Sequence, residues 1–410
     1  MNRDKKCVLN TRRVFITYIA IGILLYISIL FITNGGYMAM LLERGGSYFD
    51  DITRPLSAFF MYDNVYEGGR DMCFPPLAYS IYGILARIMQ FLSLDTQLSI
   101  ATDRTGIFLC ALVMSINVCA VIASFNHFYP GTKLEKLLLA LLLPFTFPFI
   151  IVFNQGNGIL IALPFILASV CMKDSESKVK RELALIFLAI AAGIKIYPAI
   201  LGLLWLKEKR WKEVLRLIIY GIVFFFGPYV FFGGLYGIQL HLHNLSQLNG
   251  LESIQYQSSQ DITAMTIFLL QRFMSAETAY MIGKYLSYGY FVITIVLFFL
   301  RKMNWKSIAL LTTLMVIFVA PSNSYTYLYY LVPLLFLFKE TEQGATIKEY
   351  LYVILIAMIF CIWPIVIYRA YMMTAAAYLF VIVLIIDSVV DIIRDKQAQS
   401  SKKDTEHLPS

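Results

Sequence analysis

Apolar runs of about 20 residues recur from Val14 to Ile393 with only short polar gaps between them, and this constrains the chain more than any motif in it. Inside a bilayer no water is present to satisfy backbone N–H and C=O groups, so such runs form helices or a closed barrel and nothing else. A barrel would show segments of about ten residues alternating in polarity, and none is visible. Hydrophobic residues make up 59% of the chain and charged residues 15%, which leaves no stretch for a soluble domain. The expected fold is therefore all-α: one polytopic bundle over residues 14–393, with about 10–13 transmembrane helices and juxtamembrane helices in an outer loop. A basic segment, 1–13, precedes it and a polar tail, 394–410, follows.

Charge sets the orientation. Arg3, Lys5, Lys6, Arg12 and Arg13 stand ahead of the first run, Val14 to Thr33, which places the N-terminus in the cytoplasm. That run is long enough to span and no small-residue cleavage site follows it, so it reads as a retained span and not as a signal peptide. Leu77 to Leu94 decides the parity of everything after it, because it is apolar yet contains Arg87 and Gln90. If it lies along the outer surface or only dips in, the spans are 106–126, 137–153, 158–172, 214–235, 279–300, 306–321, 324–338, 349–368 and 371–391. Every lysine except Lys195 and Lys284 then falls inside, as does the C-terminus. If it spans, Lys173 to Arg181 falls outside. The first option is preferred. Leu183 to Leu206 is flanked on both sides by inside-type loops, but it is too short for two full crossings. It reads as two half-helices meeting at Gly193 to Pro198, GIKIYP, where non-helical backbone lines a cavity.

This topology gathers the polar residues on the outer face. The first outer loop, 34–76, holds Asp50, Asp51, Asp63, Glu67 and Asp71 with Arg54 and Arg70. Near it come Asn154 to Gly158, the Lys195 break, the late outer loop 236–278 and the turn Ser322 to Tyr327. A carboxylate at the interface between apolar Phe49 and Ile52 suits a general base, since partial desolvation raises its pKa; the plain alternative is a solvated or helix-capping aspartate. Lys195 has apolar neighbours for a dozen positions on each side, and an ionisable residue inside a span is costly enough to suggest function, here as a phosphate partner. Snorkelling to the interface is its alternative. Asn154, Gln155 and Asn157 suit hydrogen bonding to hydroxyl-rich ligands, although Asn and Gly favour turns anyway. Tyr325, Tyr327, Tyr329 and Tyr330 read as an interfacial belt.

Other chemistries find little support. The histidines have no third ligand at useful spacing, so no metal is expected; the nearest thing to a divalent-cation site is the carboxylate group Asp50, Asp51 and Asp63. The six cysteines show no disulfide or metal spacing. Asn244 opens a glycosylation sequon that would matter only in a eukaryotic secretory host. The net charge of +8 follows from dispersed inside loops and forms no stripe for nucleic acid.

Taken in order, the acidic pair after the first span, FPPLAYSIYG at Phe74 to Gly83, NQGN at Asn154 to Asn157 and AAGIKIYPAILGLLWLKEKRW at Ala191 to Trp211 resemble the GT-C superfamily of polyprenol-dependent glycosyltransferases, and glycosyltransferase family 87 in particular. A weaker match is SSQDITAMTIFLLQRF at Ser258 to Phe273. The resemblance implies a GT-C-type bundle with an outer-face active site, a polyprenyl-phosphate sugar donor, a glycolipid or polysaccharide acceptor among the membrane lipids, and inverting displacement without a cofactor. Under it, Asp50 or Asp51 is the base, and Lys195 with Arg54 or Arg70 binds the leaving phosphate. Asn154, Gln155, Asn157, Tyr197, Gln260 and Asp261 shape the donor and acceptor pocket. The sequence departs from relatives in having two adjacent aspartates, which splits the base assignment, and in Asp261, which competes as an acid. The rival functions are a flippase for a lipid-linked saccharide, which would string charges through the membrane, and an envelope polysaccharide polymerase, which would carry more Arg and His in its late loop.

Overall fold

The computed structural model describes residues 10–36, 48–252, 259–361 and 371–406. Arg3, Lys5 and Lys6, residues 253–258 of the late outer loop and residues 362–368 of one expected span lie outside them. The described residues are helical, with no strand among them. In chain order they form α1 (Thr11–Ile32), α2 (Asp50–Met61), a 3-10 turn (Val65–Asp71), α3 (Pro76–Phe91), α4 (Gln97–Thr102), α5 (Arg104–Phe128), α6 (Lys133–Leu142), α7 (Phe147–Gln155), α8 (Ile159–Met172) and α9 (Lys178–Ile194). A 3-10 turn (Tyr197–Gly202) leads to α10 (Leu203–Lys207), α11 (Trp211–Phe226), α12 (Leu235–Leu248), α13 (Ile262–Leu270), α14 (Ala276–Leu300) and α15 (Trp305–Thr313). The 3-10 turn Ser324–Tyr330 then precedes α16 (Leu331–Glu340), α17 (Ile347–Phe360) and α18 (Tyr371–Glu406).

Five helical segments among the described residues are long and apolar enough to cross a membrane, namely α1, α5, α11 continued through the 3-10 turn Gly227–Phe231, α14 and α18, or up to seven if each bent pair is one span. The protein is thus a multi-pass helical bundle. Several apolar runs that look continuous in sequence are broken in three dimensions, which is why fewer uninterrupted spans appear than runs. Residues 133–155 bend by 53° between Lys133–Phe145 and Phe147–Gln155, where Pro144 and Pro148 remove ladder donors. The run at 77–94 is a helix of 16 residues set at 111° to the turn before it. That is short of the roughly 20 residues of a full crossing.

Successive helices shuttle between two ends of the bundle. At one end Arg12 hydrogen-bonds Glu342 and the carbonyl of Pro130, each at 3.0 Å, and lies 3.8 Å from Glu135, so the start of α1 meets the α5–α6 and α16–α17 connections. Lys173 pairs with Glu208 at 2.5 Å, while Lys306 and Lys348 pair with Asp387, also at 2.5 Å. Lys173, Lys306 and Lys348 are thereby neutralised, the first by a carboxylate just past the end of α10 and the other two by one inside α18. From the Lys133 end, α6 and α7 lead to Asn154 and Gln155; from the Lys178 end, α9 leads to Lys195. The catalytic candidates collect where these helices finish.

Candidate active site

The site is built on two interruptions and one unusual helix start. α2 begins after Phe49, which sits in the left-handed region at φ 62 and donates its N–H to the Asn154 carbonyl at 2.8 Å. α7 ends in Gly156 at φ 71, and a Cβ there would stand 2.7 Å from Ile52 Cγ2 and 3.2 Å from Phe49 Cα. Only glycine fits both the conformation and the approach. The consequence is that the N-terminus of α2 and the turn 154–158 touch backbone to backbone, which sets Asp51 beside Asn157. Asn157 Nδ2 donates to Asp51 Oδ2 at 2.5 Å.

The two aspartates separate cleanly. Asp50 faces outward and accepts from Arg54 at 3.1 Å; Arg54 also reaches Asp71 at 3.3 Å, and Arg70 lies 4.0 Å from Asp71. All four are partly exposed and form an ion-pair cluster of their own. Asp51, one residue on, turns inward. Burial pushes its carboxyl up from the ordinary carboxylate range, against the Lys195 ammonium, the Asn157 amide and the Arg54 guanidinium, which pull it down; Asp50 adds to the rise.

Lys195 caps α9 in an extended conformation (φ −139, ψ 127), so the GIKIYP break falls where the sequence put it. Its residue is 8% exposed. The ammonium lies 4.3 Å from the centre of the Phe74 ring and 6.0 Å from that of Tyr325. Among the described residues it forms no hydrogen bond or ion pair; it acts on Asp51 through its charge alone. Aromatic faces attract a cation but supply no negative charge. A nearly buried lysine held this way is set up to receive an anion. Tyr197, in the turn after the break, is partly buried and feels the charges of both Asp51 and Asp261.

The remaining expected residues lie at different depths. Gln155 is partly buried beside the glycine turn, and its Oε1 is buried without a hydrogen-bond partner among the described residues. Gln260 donates to Ser324 Oγ at 2.7 Å, and its backbone N–H to the Ser322 carbonyl at 2.7 Å. Asp261 is 0% exposed and caps α13, accepting from the Ala264 N–H at 3.0 Å and from the Ser259 hydroxyl. These two stitch the segment before α13 to the turn after α15, a structural task that follows from Asp being a strong N-cap.

Three sequence readings change. Asp63 does not join Asp50 and Asp51 in a metal-holding group, and none of three or more His, Cys, Asp or Glu is found among the described residues. At 1.5 Å per residue, the 12 residues of α2 carry Asp63 to the far end of a helix about 18 Å long. Tyr327, Tyr329 and Tyr330 are core residues at 0–1% exposure and not an interfacial belt. Only Tyr325 of that group reaches the site, because the 3-10 turn sends its neighbours inward. Asn244 is buried, donating to the carbonyls of Tyr66 at 2.8 Å and Met72 at 3.0 Å, so the sequon is closed in the folded chain. Sequence reasoning missed Phe74 and Tyr325 as the walls around Lys195. Phe74 stands in FPPLAYSIYG, which the sequence offers only as a motif of family resemblance and not as a wall of the site.

The family model of glycosyltransferase family 87 matches residues 74–324, more than half of the chain. The chain belongs to glycosyltransferase family 87. No curated protein and no solved structure matches it. The matched region of this membrane glycosyltransferase takes in Phe74, the 154–158 turn, Lys195 and the Gln260–Asp261 pair, and ends at Ser324, one residue short of Tyr325. Asp50 and Asp51 stand before it. The aspartate therefore enters the site on the strength of its contacts with matched residues: its bond to Asn157 and the field of Lys195.

Proposed function

We propose that this glycosyltransferase moves a sugar, with mannose the leading candidate, from a polyprenyl-phosphate donor to a lipid-linked or polymeric acceptor at the outer face of the membrane. Asp51 is the general base, and the fold is of the GT-C type. The acceptor hydroxyl gives its proton to Asp51 while its oxygen bonds the anomeric carbon from the side opposite the phosphate. The bond from that carbon to the phosphate oxygen breaks, and its electron pair leaves with the polyprenyl phosphate, so the configuration inverts. Lys195 offsets the charge that develops on the leaving oxygen, where a preorganised cation in a water-poor site is most effective.

The observation that carries this reading is a partly buried carboxylate in the field of a nearly buried ammonium that forms no ion pair among the described residues. A second support is the separation of the paired lysines at one end of the bundle from Lys195 at the other, which fits termini in the cytoplasm and a site outside. Arg54 and Arg70 are engaged with Asp50 and Asp71, which leaves Lys195 as the donor-phosphate ligand and the arginines as part of the rim.

The test is transfer from radiolabelled polyprenyl-phosphate mannose to a membrane-lipid extract by purified protein in lipid. Asp51→Asn is expected to lose on the order of 10²–10⁴ in rate, and Lys195→Ala on the order of 10²–10³. Asp50→Asn is expected to stay within a few-fold of wild type. Full activity of Asp51→Asn, or no transfer from a panel of lipid-linked sugars, defeats the reading and makes saccharide translocation the hypothesis to pursue.

A further inference from the structure

Asn157 reads from sequence as a pocket residue, but its side chain has no free atom to offer a ligand. It is 1% exposed. Its Oδ1 accepts from the Ile159 N–H at 3.0 Å, closing the turn that starts α8, and its Nδ2 donates to Asp51 Oδ2 at 2.5 Å. The bond from Ile159 fixes which way the amide points, since only its oxygen can accept from an N–H. The NH₂ group is thus held toward Asp51 by the backbone of another helix. The frame behind it is tight: Phe49 is bonded to Asn154, Gly156 touches Ile52, and a Cβ on Gly158 would stand 2.8 Å from the Tyr82 hydroxyl.

We propose that Asn157 is the positioning residue of the base: it engages one oxygen of Asp51, turns the other toward the acceptor hydroxyl, and favours the ionised carboxylate. The inference rests on Asp51 being the base. A hydrogen bond donated to a carboxylate stabilises its charged form. Asp50 and Arg54 from α2 and Lys195 from the helix break also act on Asp51 by charge. Tyr82, Tyr197, Tyr325 and Cys73 lie within reach of its own charge. All of these remain in an Asn157 variant, so the change reads the amide alone.

The experiment is the pH profile of kcat/KM for sugar transfer by the full-length protein in lipid, for wild type, Asn157→Ser, Asn157→Asp and Asp51→Asn. Serine keeps an acceptor for the Ile159 N–H but is too short to reach Asp51 as well. Asn157→Ser is expected to lose about tenfold on the acid side of the profile and to recover toward wild type as pH rises. Asn157→Asp, which sets a second carboxylate against the first, is expected to move the acid limb further in the same direction. Cooperative thermal unfolding of Asn157→Ser in detergent, lowered only by what one lost hydrogen bond costs, shows that the turn is intact. An acid limb that stays in place while the rate falls equally at every pH overturns the positioning role. If Asp51→Asn keeps its activity, the base assignment itself has failed, and the two failures are told apart by that variant.

Discussion

Replacing Gly156 by alanine probes the junction that creates the site. Two costs add. A non-glycine residue in the left-handed region loses roughly 1–2 kcal/mol. The new Cβ would also stand 2.7 Å from Ile52 Cγ2 and 3.2 Å from both Ile52 Cβ and Phe49 Cα. Of these, Phe49 Cα is backbone and cannot rotate away, so α2 must shift, at an overpacking cost of about 1–3 kcal/mol. The sum is about 2–5 kcal/mol. Ile52 is the neighbour of Asp51 and Gly156 the neighbour of Asn157, so the strain falls on both ends of the bond that orients the carboxylate. A misplacement of about 1 Å costs on the order of 10² in rate. The matched control is Gly221→Ala in the interior of α11, where no atom lies within 4 Å of the new Cβ. Helix propensity there favours alanine by up to about 1 kcal/mol. Thermal unfolding in detergent and single-turnover transfer should show Gly156→Ala losing both stability and rate while Gly221→Ala loses neither. If the two variants behave alike, the argument that this glycine sets the position of Asp51 is refuted.

Arg54 lies between Asp50 and Asp71 with all three side chains partly exposed, so Arg54→Ala should cost no more than about 1 kcal/mol, less in high salt. Thermal melts at low and high ionic strength measure this. A rate loss as deep as that of Lys195→Ala would instead give Arg54 to the donor phosphate. His241 bridges α12 to the segment before α3: Nε2 bonds the Cys73 carbonyl at 3.0 Å, Nδ1 accepts from the Tyr229 hydroxyl, and the ring stacks on Tyr66 at 4.8 Å. Burial holds its pKa below the ordinary value, although the bond to Cys73 pulls it back up. The unfolded chain therefore takes up a proton near pH 6.5 that the folded chain refuses. The stability owed to His241 is whole above that pH and declines as pH falls through it. Melts between pH 7.5 and 5 should fall more for wild type than for His241→Asn, and equal slopes would show that the ring is not held neutral.

The membrane class, the break at Lys195, the polar turn at Asn154 to Gly158 and the acidic loop were all legible in the chain, because each is a local departure from an apolar background. A lysine amid two dozen apolar residues needs no coordinates to be noticed. What stayed hidden was pairwise. Asp50 and Asp51 have almost the same sequence neighbourhood, yet one faces Arg54 and the other Asn157, because successive helical residues point about 100° apart and only packing says which direction is inward. Asp261 looked like an acid for chemistry and is a helix cap. Phe74 and Tyr325, some 250 positions apart, meet at one ammonium. Hydropathy by itself determined that this chain is a helical membrane protein, since lipid leaves the backbone no other choice. Which carboxylate turns inward to Asn157, and which side chains surround Lys195, was decided only by the tertiary structure, because orientation and long-range contact depend on how helices pack and not on the order of residues along any one of them.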